Sequence, residues 1–422
     1  LAKAASFDRH EGRPVDRPLH SVIWRRQPPV FSAVPLRALR DGTVTALGFR
    51  PPLHNEVSAK LRARYRCHDA LLTDSGTSAL ILALRRIVGP GGTVAYPAYA
   101  CIDLTAAALA AGVRVRLYDL DPATLSPDLD SLRATIQRGV DAIVVAHLYG
   151  YPADVPAVRG LAAEEGIPVL EDAAQGAGGT IRRTLLGSFG DIAVLSFARG
   201  KGTTSGSGGA ILVRTTELAD WTRELRSELH FERGGDEVLK LAAQRIFSHP
   251  SLYSLPASLP GLNLGEMVYH PPRSPKAMTA TSTAILRRTL QIEDEEISQR
   301  RLRALQLLSH VGRIANVKVV RPIPGGESGF LRVALIDETG DRTPRASLGV
   351  IRGYPMTLDE HPQLQPLLMS GERAGKGSGL LRDRLFTIPT HARVHQGEMT
   401  RVAEWLAKRQ DAPWNPALAV RS

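Results

Sequence analysis

The sequence predicts an α/β fold: a large domain with a mainly parallel sheet between helices, then a smaller α+β domain at the C-terminus. Three observations carry this. Short apolar runs alternate with helical patterns from about residue 55 to residue 213. The connections between them are short, as in βαβ units. The runs themselves, such as "AIVVA" (142–146), are too apolar for a sheet with one face in water, so helices should cover both faces.

Taken in order, the first 50 residues are rich in Pro and Arg and read as an N-terminal arm with short elements. "NEVSAKLRARY" (55–65) has helical spacing. "ALLTDSGTSALILALRRIV" is an apolar strand, a polar Gly turn and an apolar helix. "GTVAYPAY", "RVRLYDL", "DAIVVAHLYG" and "IPVLEDAAQ" read as strands. The helices between them are "DLTAAALAAG", which ends at Gly112, "SPDLDSLRATIQRG" and "DVPAVRGLAAEEG". After Val213 the alternation stops. "ELADWTRELRSEL" is helical, 243–275 is loop-like and Pro-rich, and 278–311 is a long amphipathic pattern of one or two helices. "VKVVRPI", "GFLRVALID" and "RLFTIPT" are strand-like, and "QGEMTRVAEWLAKR" is a last helix. The organisation expected is an arm over 1–50, a large domain over 51–270 and a small domain over 271–422, with no internal repeat.

The chain has 422 residues, 43% hydrophobic and 23% charged, the composition of an ordinary globular protein. Its formal charge of +11 invites a nucleic-acid partner. The distribution argues against one: the arginines are scattered, alternate with acids and form no block of like charge. "GAGG" and "GSGG" lack the G-x-G-x-x-G spacing, since Ile181 and Ile211 stand where a third glycine belongs. The two cysteines, Cys67 and Cys101, form no C-x-x-C pair or metal spacing, which fits a reducing compartment and leaves no metal expected. The N-terminal residues show no apolar stretch of signal-peptide length, and the most apolar long run is interrupted by Pro97 and Asp103. A cytoplasmic protein without a membrane span is the expectation.

Ligands of doubly wound sheets sit beyond the carboxyl ends of the strands. Four polar turns fall at such ends: "DSGTSA" (74–79), "PAYAC" (97–101), "EDAAQ" (171–175) and "SFARGKG" (196–202). The last holds Lys201, one of only eight lysines in a chain whose positive charge is mostly arginine. It is not a P-loop lysine, because that pattern needs Gly at 195 and Ser or Thr at 202, where this chain has Leu195 and Gly202. Gly76, Thr77 and Ser78 lie where a strand gives way to a helix, a ready phosphate cradle of backbone N–H groups and hydroxyls. Read singly, each feature has a plain structural reading: a solvated lysine, a helix cap, a turn-capping Asp172. Together they ask for a cofactor with a phosphate, a flat ring and a carbonyl that reacts with an amine.

The pieces "SGTSAL", "HLYGYPADV", "EDAAQGAGG", "GSFGDIAVLSF" and Lys201 before "GSGGAILV" resemble, in order and spacing, the DegT/DnrJ/EryC1/StrS family of sugar aminotransferases. The resemblance runs from about 35 to 213, with an echo in "PTHARVHQGEMTRVAEWL". It implies fold type I, pyridoxal 5′-phosphate as cofactor and a homodimer with shared active sites. It also implies transfer of an amino group from an amino acid, glutamate foremost, to a keto sugar or related ketone. Lys201 would carry the cofactor as a Schiff base and then shuttle protons. Asp172 would face the pyridine nitrogen and keep it protonated, Gln175 the phenolic oxygen, and Ser196 the phosphate with Gly76, Thr77 and Ser78. Glu171 reads as structural. His147 and Tyr149, in "HLYG", stand open between packing and substrate contact.

This sequence departs from the family pattern in three places. Cys101 stands where an aromatic usually stacks on the ring, so that either Tyr99 stacks instead or a smaller side chain suffices. Ser207 stands where an acid often precedes the paired glycines. The family's Asn and Arg after the large domain are matched only by Asn263, Arg273 and Lys276, in the Pro-rich stretch. Arg273 and Lys276 are therefore the candidate anion contacts of the acceptor, and 231–276 the segment that shapes its pocket. Three rivals remain: another reaction of the same cofactor, such as elimination or dehydration; a cofactor-binding relative without catalysis; and a nucleotide binder. The family's dehydratases carry His in place of the lysine, so Lys201 speaks against that branch.

Overall fold

The carboxyl ends of the central strands open on one side of the molecule, and the fold is best described from that edge. The computed structural model describes residues 25–257, 269–339 and 343–408. The first sheet has seven strands: β1 (Asp69–Thr73), β2 (Thr93–Pro97), β3 (Arg114–Tyr118), β4 (Ala142–Ala146), β5 (Val169–Asp172), β8 (Ile192–Ser196) and β9 (Gly209–Val213). Their spatial order is β1-β9-β8-β5-β4-β2-β3. Strands β8, β5, β4, β2 and β3 are parallel, and β9 runs antiparallel between β8 and β1. Between them, β6 (Thr180–Ile181) and β7 (Thr184–Leu185) form a hairpin.

Every residue of β4 and β9 is buried, as all-apolar runs between two helical layers must be. One face of the sheet packs on Gly76–Ile87 and Asp103–Ala111, through Leu80, Leu84, Leu104 and Ala108. The other packs on His54–Tyr65 through Val57 and Leu61, with Leu286 from a later helix. The expected mainly parallel sheet between helices is what the structure has.

The second sheet is antiparallel throughout: β10 (Val317–Val319), β12 (Arg332–Asp337), β13 (Ile351–Arg352) and β14 (Leu385–Pro389), in the order β10-β12-β14-β13. Between β10 and β12, the short strand β11 (Gly326–Glu327) pairs with β6 of the first domain. A single apolar core runs through both domains, with Tyr99 and Tyr151 on one side and Phe330 and Val333 on the other. No helix among the described residues is long and apolar enough to cross a membrane.

Two segments bear on the reading of the sequence. A change of domain is expected near 270. Ala277 bridges to Thr73 of β1, and helix Ala280–Thr289 lies against helices Leu36–Ala46 and His54–Tyr65. We propose the division near residue 292, where helix Glu293–Val311 leaves the first domain to meet helix Gln396–Lys408. The stretch 243–275, expected as loop, begins inside helix Asp236–Phe247 and includes the short helix Ser254–Ala257. A proline-rich composition marked this segment as irregular although its first turns keep a helical apolar face.

Candidate active site

Five strand ends of the first sheet deliver the cleft. After β1, Ser75 caps helix Gly76–Ile87: its Oγ accepts a hydrogen bond from Ser78 N–H at 3.0 Å. Gly76 opens the helix directly against β8. A Cβ there would lie 2.9 Å from the Ser196 Cβ, so only glycine lets the helix terminus and Ser196 share one space. Ser75, Gly76, Thr77 and Ser196 all line the cleft. The positive end of the helix and the hydroxyls of Thr77 and Ser196 are groups that could hold a phosphate there.

Asp172 ends β5 and is buried, with Oδ1 accepting from Ala174 N–H at 3.0 Å. Burial pushes its carboxyl above the ordinary range, against the pull of Ala174 N–H, Lys201 and His147. Its neighbour Glu171 is also buried but fully partnered. Oε1 accepts from His147 Nε2 at 2.9 Å and Gly187 N–H at 2.6 Å; Oε2 accepts from Phe189 N–H at 2.7 Å and Gly190 N–H at 2.9 Å. Burial would raise its carboxyl, yet His147 and the N–H donors win and hold it below the ordinary value. The reading of Glu171 as structural agrees with this.

His147 follows β4. Its Nδ1 accepts from Ala153 N–H at 3.0 Å, which places the ring proton on Nε2, where Glu171 takes it. Both nitrogens are therefore committed, and the ring borders the cleft. Lys201 sits in the loop between β8 and the returning β9, half-buried, on the same cleft as Asp172 and Ser196. The hairpin geometry explains its place: β9 must turn back beside β8, so the loop arches over the strand ends.

Gln175 lines the cleft with its amide spoken for. Oε1 accepts from Tyr149 N–H at 3.1 Å, and Nε2 donates to Tyr354 Oη at 2.6 Å. Cys101 lines it too, its thiol 3.5 Å from Asp103 Oδ2 and pushed up to about 12 by burial and that carboxylate.

Four expected residues lie elsewhere. Ser78 is buried in the cap, its hydroxyl 2.9 Å from Ser75 Oγ. Tyr99 is wholly buried behind the cleft and does not take the place of an aromatic at 101; its Oη accepts from Tyr354 N–H at 2.7 Å. Arg273 is exposed, and Lys276 pairs with Glu232 at 2.6 Å; neither lines the cleft. Asn263 lies outside the described residues. The reading of the sequence missed Ser75, Asp103 and above all Tyr354, which the second domain contributes. A Ser directly before a Gly-led helix is a cap signal that could have found the first. No local pattern marks Tyr354.

Solved structures share this architecture. The sugar aminotransferase CalS13 of Micromonospora echinospora superposes with a TM-score of 0.71 over 90% of this chain and 99% of that one, at 25% identity. Fold and cleft thus define a protein of the aminotransferase α/β class. The family model of the DegT/DnrJ/EryC1/StrS aminotransferases matches residues 37–407, and the chain belongs to that family. Among curated relatives, the UDP-N-acetyl-3-dehydro-α-D-glucosamine 3-aminotransferase of Acidithiobacillus ferrooxidans is 36% identical over 167 residues, 39% of this chain and 45% of the relative. The L-glutamine:2-deoxy-scyllo-inosose aminotransferase of Streptoalloteichus tenebrarius is 37% identical over 155 residues, 36% of this chain and 37% of the relative. The chain thus spans less than half the length of either.

Proposed function

We propose that the protein is a pyridoxal-phosphate-dependent aminotransferase that moves an amino group from an amino acid to the keto group of a sugar or related polyol. The observation that supports it most is the meeting of Lys201, buried Asp172, Ser196 and the N-terminus of Gly76–Ile87 on one cleft. These groups fit the cofactor by chemistry: an amine for a carbonyl, a carboxylate for a ring nitrogen, N–H groups and hydroxyls for a phosphate. Bound there, the cofactor supplies an electron-accepting ring. The protein's part is to hold and move protons. Asp172 would hold one at the ring nitrogen. Lys201 would carry one to and from the reacting carbon. His147, with no nitrogen free, closes the wall without offering a competing base.

The acceptor assignment leans on the relatives, which act on a dehydro-amino sugar nucleotide and on a keto cyclitol. The donor expected from the sequence is glutamate; the second relative uses L-glutamine, so both belong in the assay. A homodimer is part of this reading. Leu36, Leu47, Phe49, Leu239 and Ile246 leave large apolar side chains exposed on and beside two helices that touch, Leu36–Ala46 and Asp236–Phe247.

The test is chemical. Cofactor-loaded protein should be yellow, and borohydride should fix the cofactor on Lys201, located by peptide mass spectrometry. A label on another lysine, or no chromophore with added cofactor, sinks the proposal. Incubation with glutamate or glutamine and candidate keto sugars, read by mass spectrometry, then names the substrates.

A further inference from the structure

The loop that carries Lys201 is held from outside by the N-terminal arm. Its far half is pinned by its own bonds and by the start of helix Glu293–Val311: Ser205 N–H and Thr204 Oγ1 donate to Phe197 O, and Thr203 Oγ1 donates to Glu293 Oε1 at 2.5 Å. The near half, Ala198–Lys201, has an internal bond from Lys201 N–H to Ala198 O at a long 3.3 Å. The hydrogen bond that reaches this turn from another segment, among the described residues, is Gly200 N–H to Ser32 Oγ at 2.9 Å. Ser32 is 2% exposed, so the bond is made away from water. Val30 packs on the same glycine: a Cβ at Gly200 would meet the Val30 Cβ at 3.1 Å.

The arm that supplies Ser32 is itself fastened to the second domain. Gln27 N–H donates to Ser347 O at 3.0 Å, and Gln27 Nε2 to Arg393 O at 2.7 Å. His391 Nδ1 accepts from Arg393 N–H, so its Nε2 carries the proton and donates to Pro28 O at 2.9 Å. Buried Arg332 donates to Pro29 O. Phe31 meets the His391 ring edge-on at 5.8 Å and lies under the Arg393 guanidinium at 5.0 Å. Residues 25–32 thus run from the domain that contributes Tyr354 to the peptide unit just before Lys201.

We infer that Ser32 is a positioning residue: through the Gly200 N–H it sets where the Lys201 amine stands relative to Asp172, and the arm ties that position to the second domain. The inference rests on the reading of Lys201 as the cofactor-bearing lysine. A buried N–H that loses its acceptor is costly to leave unpaired, so the turn will move to find water. A shift of about 1 Å at a reacting group slows a reaction up to about a hundredfold.

The experiment uses the full chain loaded with cofactor. Ser32→Ala should slow the reaction with the amino donor about tenfold. It should also move the pH midpoint of the lysine-bound cofactor's absorption band by about half a unit, because proton affinity at that nitrogen depends on its distance from the Asp172 carboxylate. Ser32→Thr keeps the hydroxyl and should restore both. Gln27→Ala, at the other end of the arm, should move the midpoint the same way by less. An unchanged midpoint and rate in Ser32→Ala, with the borohydride label still on Lys201, overturns the inference alone. A slowing that follows the melting temperature and is not restored by Ser32→Thr also overturns it, as mere loss of stability. A label on another lysine overturns the parent reading and this one together.

Discussion

The two walls of the cleft are made in different ways. One is the edge of the first sheet: Gly76, Asp172, Ser196 and Lys201 each stand at, or within five residues of, a strand end. Their positions follow from the sheet, whose strands are buried on both faces and cannot slip. The other wall is Tyr354, on the loop after β13, held by contacts across the domain boundary. Its ring lies 5.2 Å from Tyr99 and 5.5 Å from Tyr149, and its two polar groups meet Tyr99 and Gln175. Under the proposed function the first wall carries the groups that bind and protonate. The second is supplied by the other domain and packs on Tyr99 and Tyr149.

Substitutions on the first wall should therefore cost most, and cost it in the half-reaction with the amino donor. Asp172→Asn removes the charge that would keep the ring nitrogen protonated. The cofactor should still bind, through Lys201 and the phosphate site, while the donor half-reaction falls by about 10²–10³-fold in a water-poor site. Stopped-flow absorbance checks both. A rate near wild type would remove Asp172 from the machinery.

One residue earlier on the same strand, the expected effect changes kind. Glu171 has no free lone pair to offer a ligand, with four donors around it. Glu171→Gln leaves His147 and three N–H groups facing a neutral amide that must also place two donors of its own. Breaking so buried a charged network destabilises by about 3 kcal/mol. The sign with pH follows from the depressed carboxyl. Its stabilisation is complete above the unfolded value of about 4.3 and is lost as pH falls through the folded value. Wild type should show this acid limb in thermal melts, and Glu171→Gln should show a shallower one with a lower plateau near neutral pH. Equal melting curves at neutral pH would show that the network contributes nothing.

The difference between the walls also explains what could be read from the sequence. The places of Asp172, Gln175, Ser196 and Lys201 on the cleft were legible because strand periodicity fixes where each strand stops, and the cleft lies just beyond. Ser78 and Tyr99 stand one and two residues from Thr77 and Cys101, which do line it. The turn after β1 points Ser75 and Thr77 at the cleft and Ser78 into the cap, and the turn after β2 points Cys101 in and Tyr99 back. Arg273 and Lys276 were chosen for their charge and their place in the Pro-rich stretch, and neither says which partner a side chain will find; Lys276 found Glu232. Tyr354 had no signal, because it depends on how two domains dock. The same holds for Ser32, whose partner Gly200 is distant in sequence.

The smallest expected effect probes the second wall at one atom. Gly353 brings the loop so close to Tyr99 that a Cβ would stand 2.0 Å from the Tyr99 hydroxyl, so the backbone there has one position. Tyr354→Phe keeps that backbone, the Tyr354 N–H bond to Tyr99 and the ring contacts. It removes only the hydroxyl that accepts from Gln175 Nε2. An amide hydrogen left without its acceptor at a partly wet cleft costs about 1 kcal/mol. Gln175 Oε1 remains fixed by Tyr149 N–H, so the first wall keeps its shape. The donor half-reaction should thus stay within twofold of wild type. The apparent KM for the keto acceptor should rise by a few-fold, because under the proposed function the acceptor would lie against this wall. Steady-state kinetics with acceptor varied at saturating donor separates the two. A fall in the donor half-reaction as large as that of Asp172→Asn would mean that Tyr354 belongs with the chemistry of the first wall, and the division between the walls would be wrong.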